Sequence, residues 1–166
     1  MNTRTANSIL ESLRWIIVGI GIFLTFLLGE NPVMRLHILE PFLVIPISGL
    51  TGMEALFFSK AASEISGYAP SPYQRQSGMN NLALSISAVL SLILQWGTYA
   101  EAALLSTLLI FLTLSACNHT FSAFKEGNMN KRNIMRPVMT ALLLAYSVPL
   151  MVQALIFIKG LPVHCK

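Results

Sequence analysis

The 166-residue chain contains no aspartate, and all seven of its acidic residues are glutamates. Charged residues make up only 11% of it, against about 25% in an average soluble domain. A soluble domain this small covers much of its surface with charge, so the composition argues against that class. Cysteine is nearly absent. Cys117 lies in an apolar run and Cys165 beside the C-terminus, with no CxxC or zinc spacing, and both read as inert thiols. No HxxxH or ExxH pair occurs on any expected helix. Cys117, Asn118 and His119 are adjacent and face different ways on a helix, so no metal or cofactor is expected. No GxSxG elbow is present. Gly19 and Gly21 sit in an apolar run with no lysine after them, which excludes a phosphate-binding loop. No catalytic residue is assigned on motif grounds. Repeats, heptads, low-complexity stretches and domain-sized linkers are missing too, so residues 1–166 read as one domain.

What the chain has is apolar length. Hydrophobic residues reach 54% and aromatics 9%, which excludes intrinsic disorder. Crossing a bilayer core of about 30 Å takes about 20 mostly apolar residues. Runs of that kind predict helices over roughly 8–29, 39–60, 78–98, 102–124 and 137–158. Backbone in lipid must satisfy its own hydrogen bonds, and the period-2 alternation of a barrel is absent. The expected fold is therefore all-α: a polytopic transmembrane bundle of about five helices, with the lipid bilayer as its first partner. The run Trp15–Gly29 lacks a small-x-small cleavage site and reads as a retained helix.

Connections are expected at Glu30–Ile38, Ala61–Ser77, Gly97–Glu101 and Lys125–Arg136. The formal charge is +4, and the bases gather at the ends of the apolar runs. Nucleic-acid binding is set aside, because no basic and aromatic residues interleave on a soluble surface. With five crossings, one side collects eight bases and the other only Arg35, Lys159 and Lys166. The positive-inside rule then puts the N-terminus, Lys60, Arg75 and the Lys125–Arg136 loop in the cytoplasm. The expected location is a bacterial inner membrane.

Four polar residues inside the apolar runs stand out. Glu54 and His119 each lie six residues before a terminal lysine, Lys60 and Lys125, about 9 Å deep on a helix. Asn80 and Asn81 open the third expected helix. Ionisable groups at membrane depth tend to face protein or water and to mark function. The functional reading is a polar pocket in the cytoplasmic half, in a non-enzymatic transport or permeation unit or an accessory subunit. A membrane enzyme acting on a lipid or quinone-like substrate, with Glu54 and His119 as acid and base, is the alternative. The plainer reading is interhelical hydrogen bonding. Ala83, Ser87 and Ser91 form a small-residue stripe suited to a second copy or a membrane partner. Pro46 and Pro149 predict kinks. Tyr146 and Gln153 are polar candidates for a cavity lining, and Trp15, Trp96 and Tyr99 for interface anchors.

One stretch resembles a known pattern. Gly67-Tyr68-Ala69-Pro70-Ser71-Pro72-Tyr73-Gln74 leads into Gly78-Met79-Asn80-Asn81-Leu82-Ala83, and Ala116-Cys117-Asn118-His119 follows a span later, before Asn128. This is similar to a domain-of-unknown-function family of small bacterial inner-membrane proteins. That pattern has a Ser-Pro-aromatic-Gln turn, a Gly-x-x-Asn-Leu-Ala helix start and a later helix ending near Gly-His. Here Asn118 replaces that glycine, and Gln76 stands where an acid is expected. The resemblance implies a small polytopic protein and names no substrate.

Overall fold

The computed structural model describes residues 3–67, 71 and 73–160. Tyr68, Ala69, Pro70 and Pro72 of the turn, with His164, Cys165 and Lys166, lie outside the described residues. The elements are α1 (Thr3–Leu28), α2 (Pro32–Phe57), α3 (Ser59–Ser66), α4 (Tyr73–Leu94), α5 (Thr98–Lys125) and α6 (Lys131–Gly160). All but α3 are long and apolar enough to cross a membrane. The fold is the all-α bundle expected, and by length and composition it is that of an integral membrane protein.

Helix ends differ from the expected ones for local reasons. Asn31 sits in extended backbone (φ −140°, ψ 167°), and its side chain accepts the Met34 N–H at 2.9 Å. Pro32 follows at the first helical position, where no backbone donor is missed. The helix expected to start near residue 39 therefore starts at 32, and His37 lies inside it rather than in a loop. At Phe58 (φ −129°, ψ 25°) α2 breaks, and the chain restarts as α3 inside the stretch expected to be a loop. Gly67 ends α3 in the left-handed region (φ 72°), which glycine adopts without a Cβ penalty. Gln95 (φ 51°) and Gly97 (φ 87°) reverse the chain before α5. Thr98–Glu101, expected in that hairpin, are instead its first turn, where Glu101 faces the positive end of the helix dipole. Arg136, read as a loop base, lies within α6, and Arg14 lies within α1, inside the helix expected over 8–29.

At the centre of the bundle, α2 packs against α1, α4, α5 and α6. Within its most apolar stretch 44% is buried, against 22–33% for the other four long helices. A helix apolar on all sides is a buried one. Leu36, Leu39, Leu43 and Val44 of α2 meet Ala88 of α4, Leu105 and Leu108 of α5 and Ala154 of α6. The helix runs unbroken through Pro41 and Pro46, as α6 does through Pro137 and Pro149.

Two glycines let α4 lie directly on α2. A Cβ on Gly52 would fall 2.9 Å from the Gly78 carbonyl oxygen and 2.6 Å from Leu82 Cγ. One on Gly78 would meet Ala55 Cβ at 2.8 Å. Close backbone approach of this kind substitutes for the hydrophobic drive that lipid removes. The inward face of α4 is Gly78, Asn81, Ser85, Ala88 and Ser91. Of the expected stripe, Ser91 is buried within the chain, Ser87 half-buried and Ala83 exposed. Large apolar side chains, among them Phe23, Phe26, Ile93, Ile110, Leu114 and Ile156, point outward. They suit a lipid environment, since soluble monomers rarely expose such area contiguously.

A candidate polar cavity at one end of the bundle

Up-and-down connections bring the start of α1, the end of α2, α3, the start of α4, the end of α5 and the start of α6 to one end. Several polar side chains inside the spans collect there, Arg14, Glu54, Asn81 and His119 among them. Arg14 of α1 reaches Glu54 of α2, with Nη2 and Oε2 2.9 Å apart. The pair is shielded: the two side chains are 10% and 7% exposed. Charge in a low-dielectric interior is tolerated when paired, and removing one partner alone strands the other.

Above the pair opens a cavity of about 220 Å³. Glu11, Arg14 and Trp15 of α1, Thr51 of α2, Ser77 and Asn81 of α4, Ser115 of α5 and Arg136 and Thr140 of α6 give it polar groups. Ile47, Phe111, Leu112, Met139 and Leu143 close its apolar side. A second hollow of about 380 Å³ adjoins it and shares Thr51, Ser77 and Arg136. Glu54, Gln74, Asn118 and His119 line this one. The buried Arg14 Nε in the first wall has no hydrogen-bond partner, an unusual condition for a guanidinium donor.

His119 is fixed from both sides. Arg136 Nη1 lies 2.7 Å from its Nε2. A guanidinium only donates, so Nε2 accepts, and the proton of the neutral ring sits on Nδ1. Nδ1 then donates to Asn133 Oδ1 at 2.8 Å. Asn133 Nδ2 donates on to the Asn128 carbonyl at 3.1 Å, and Asn128 Nδ2 to the Gly67 carbonyl at 3.2 Å. The chain of bonds runs from the cavity wall to the α3 terminus, joining the two ends of the recognised stretch. Gln74 of the same stretch ties α4 to α3: it accepts from Ser63 Oγ at 2.8 Å and donates to the Ser59 carbonyl at 3.3 Å.

Of the four expected residues, Glu54 and His119 line one hollow and Asn81 the adjoining cavity. Asn81 also donates to the Ser77 carbonyl at 2.9 Å. Asn80 is exposed and faces an outer groove with Tyr73 and Gln76. Arg14, Arg136, Thr51, Ser77 and Asn133 went unforeseen. The two arginines flank apolar runs, where a base reads as a topology signal. Among the described residues no group of three or more His, Cys or Glu side chains is placed to hold a metal. Cys117 is exposed, and Gln153 faces outward on α6.

At the opposite end His37 Nδ1 lies 2.6 Å from Glu101 Oε1 across the α2–α5 interface.

Neither the curated proteins nor the solved structures give a match to the chain. A family model does, over residues 11–159, nearly the whole bundle and every residue of the cavity. The chain belongs to that family, a family of unknown function (DUF6790).

Proposed function

We propose that the chain is a multi-pass protein of a bacterial inner membrane, with its N-terminus in the cytoplasm and residues 1–166 as one transmembrane domain. Its role is non-enzymatic. It holds a polar ligand or head group in the cavity at its basic end, as a small transport or permeation unit or an accessory subunit. The observation that carries this reading is the buried, unpartnered Arg14 Nε in the wall of a cavity that is polar on one side and apolar on the other. Sites for small molecules are built that way, from apolar walls and a few placed polar groups. Glu54 and His119 support binding over acid–base work. The carboxylate is paired with Arg14, and both ring nitrogens of His119 are engaged. The exposed Ala83 edge of α4 is where a second copy or a membrane partner docks.

The ligand presents oxygen acceptors to Arg14 and an apolar part to Trp15 and Phe111. In a Trp96→Phe background Trp15 is the sole tryptophan and reports on the cavity directly. Titrating the nanodisc-held protein with a short-chain alkyl phosphate is expected to give a saturable change in Trp15 emission. The double variant Arg14→Met/Glu54→Leu, which removes the pair without stranding a charge, is expected to lose it. An equal response to an uncharged alkyl maltoside, or no saturable response in the parent protein, would overturn the reading.

A further inference from the structure

A second ionisable site lies at the other end of the bundle, and the cavity does not use it. Glu40 is eight residues into α2, about 12 Å along the helix axis. It is 1% exposed and packed in the run Leu36–Val44, and its Oε1 has no hydrogen-bond partner. Across the interface stands Glu101 of α5, bonded to His37, which lies three residues before Glu40 and so on the same side of α2. Glu101 is itself buried, and it bonds His37, which is half open to the outside.

We propose that Glu40 is a proton-binding site in the bundle interior, with Glu101 and His37 as its route to the surface.

Among the described residues the surroundings hold no counter-cation for a Glu40 carboxylate. On α2 itself, Arg35 is exposed and turned to the Gly29 carbonyl, 3.0 Å away, and His37 is engaged by Glu101. Glu101 is the only charged residue that α5 brings to this end, and it is an acid. On α6 Lys159 is exposed, and Tyr146 packs against Phe26 of α1. The bases of α1 and α4 lie at the far end, and Glu30, just past α1, is exposed. An isolated ionised carboxylate in such a place is far costlier than the neutral acid. Glu54, by contrast, has Arg14 beside it. Release is a balanced transfer. The Glu40 O–H bond breaks as the Glu101 carboxylate takes the proton, His37 then takes it from Glu101, and the imidazolium gives it to water. Return runs the same steps in reverse.

Infrared spectroscopy of the full chain in lipid tests this at neutral pH. The protein is expected to show the C=O stretch of a protonated carboxylic acid. Glu40→Gln is expected to remove that band, and Glu101→Gln to keep it. Should Glu40→Gln fail to insert, Glu40→Asp, which keeps a carboxyl in a changed position, is expected to shift the band. The assignment is overturned if no such band is seen, if it survives Glu40→Gln, if it does not move in Glu40→Asp, or if it disappears with Glu101→Gln instead.

Discussion

Arg14 and Glu54 illustrate how a single contact decides what a sequence can reveal. Glu54 was legible because a carboxyl in an apolar run is costly and therefore conspicuous. Its partner was not, since Arg14 precedes the apolar stretch Trp15–Gly29 and looks like one more flanking base. His119 was legible on the same ground as Glu54, and Arg136, beside Pro137, was hidden on the same ground as Arg14. Which side chains touch depends on lateral packing, which periodicity along one helix does not encode. The pair makes a sharp prediction. Arg14→Ala leaves a buried carboxylate alone and is expected to cost about 3–5 kcal/mol. Replacing both, as Arg14→Met/Glu54→Leu, is expected to restore most of that loss. Reversible unfolding in mixed micelles measures both, and equal destabilisation by the single and double variants would contradict the account. The His119 network makes a milder prediction. Asn133→Ala removes the acceptor of His119 Nδ1 and the donor to Asn128. Its expected cost is about 1–3 kcal/mol, the penalty of an unsatisfied buried polar group. The same unfolding assay reads it, and the spacing between α5 and α6, followed by spin labels, is expected to widen.

Among the elements, the five long helices were legible and their ends were not. Apolar length set the number of spans, whereas caps set the boundaries. Asn31-Pro32 reads as a turn in isolation, yet as an N-cap and first helical residue it starts α2 seven residues early. The short helix α3 was invisible because Ser59–Ser66 offers no apolar run, only an amphipathic turn or two held by Gln74. Of the expected small-residue stripe on α4, Ser91 lies on the inward face while Ser87 is half-buried and Ala83 exposed, and none of the three makes the close crossing with α2. Gly52 and Gly78 carry it, each in a different helix, and single-helix patterns do not show such a match. Gly52→Val is therefore expected to push Leu82 and the Gly78 carbonyl aside, at about 1–3 kcal/mol or more. At Gly19 nothing lies within 4 Å of a built Cβ. Gly19→Ala there is expected to be neutral or to stabilise slightly, as alanine does inside a helix. A reversed order of the two effects would mean that α2 and α4 do not meet as described.

Over the whole molecule, the asymmetry between the two ends ties the chemistry to the membrane. One end carries the Arg14–Glu54 pair, the His119 network, Lys60, Arg75, Lys125 and Lys131. The other holds the Glu40, Glu101 and His37 group with few bases. Positive residues stay on the cytoplasmic side during insertion. The basic end, and with it the polar cavity, is then expected to open to the cytoplasm, and the Glu40 group to lie toward the opposite face. Cysteine mapping in cells separates the alternatives. The background is Cys117→Ala/Cys165→Ala, with one cysteine placed either at Gly127, between α5 and α6, or at Trp96, between α4 and α5. Both sites are exposed. A membrane-impermeant maleimide is expected to label the Trp96 position from outside in intact cells, and the Gly127 position only after permeabilisation. Labelling of both positions from outside would break the up-and-down path that gathers the cavity. The reverse pattern would turn the cavity outward, and the ligand would then have to come from the other side of the membrane.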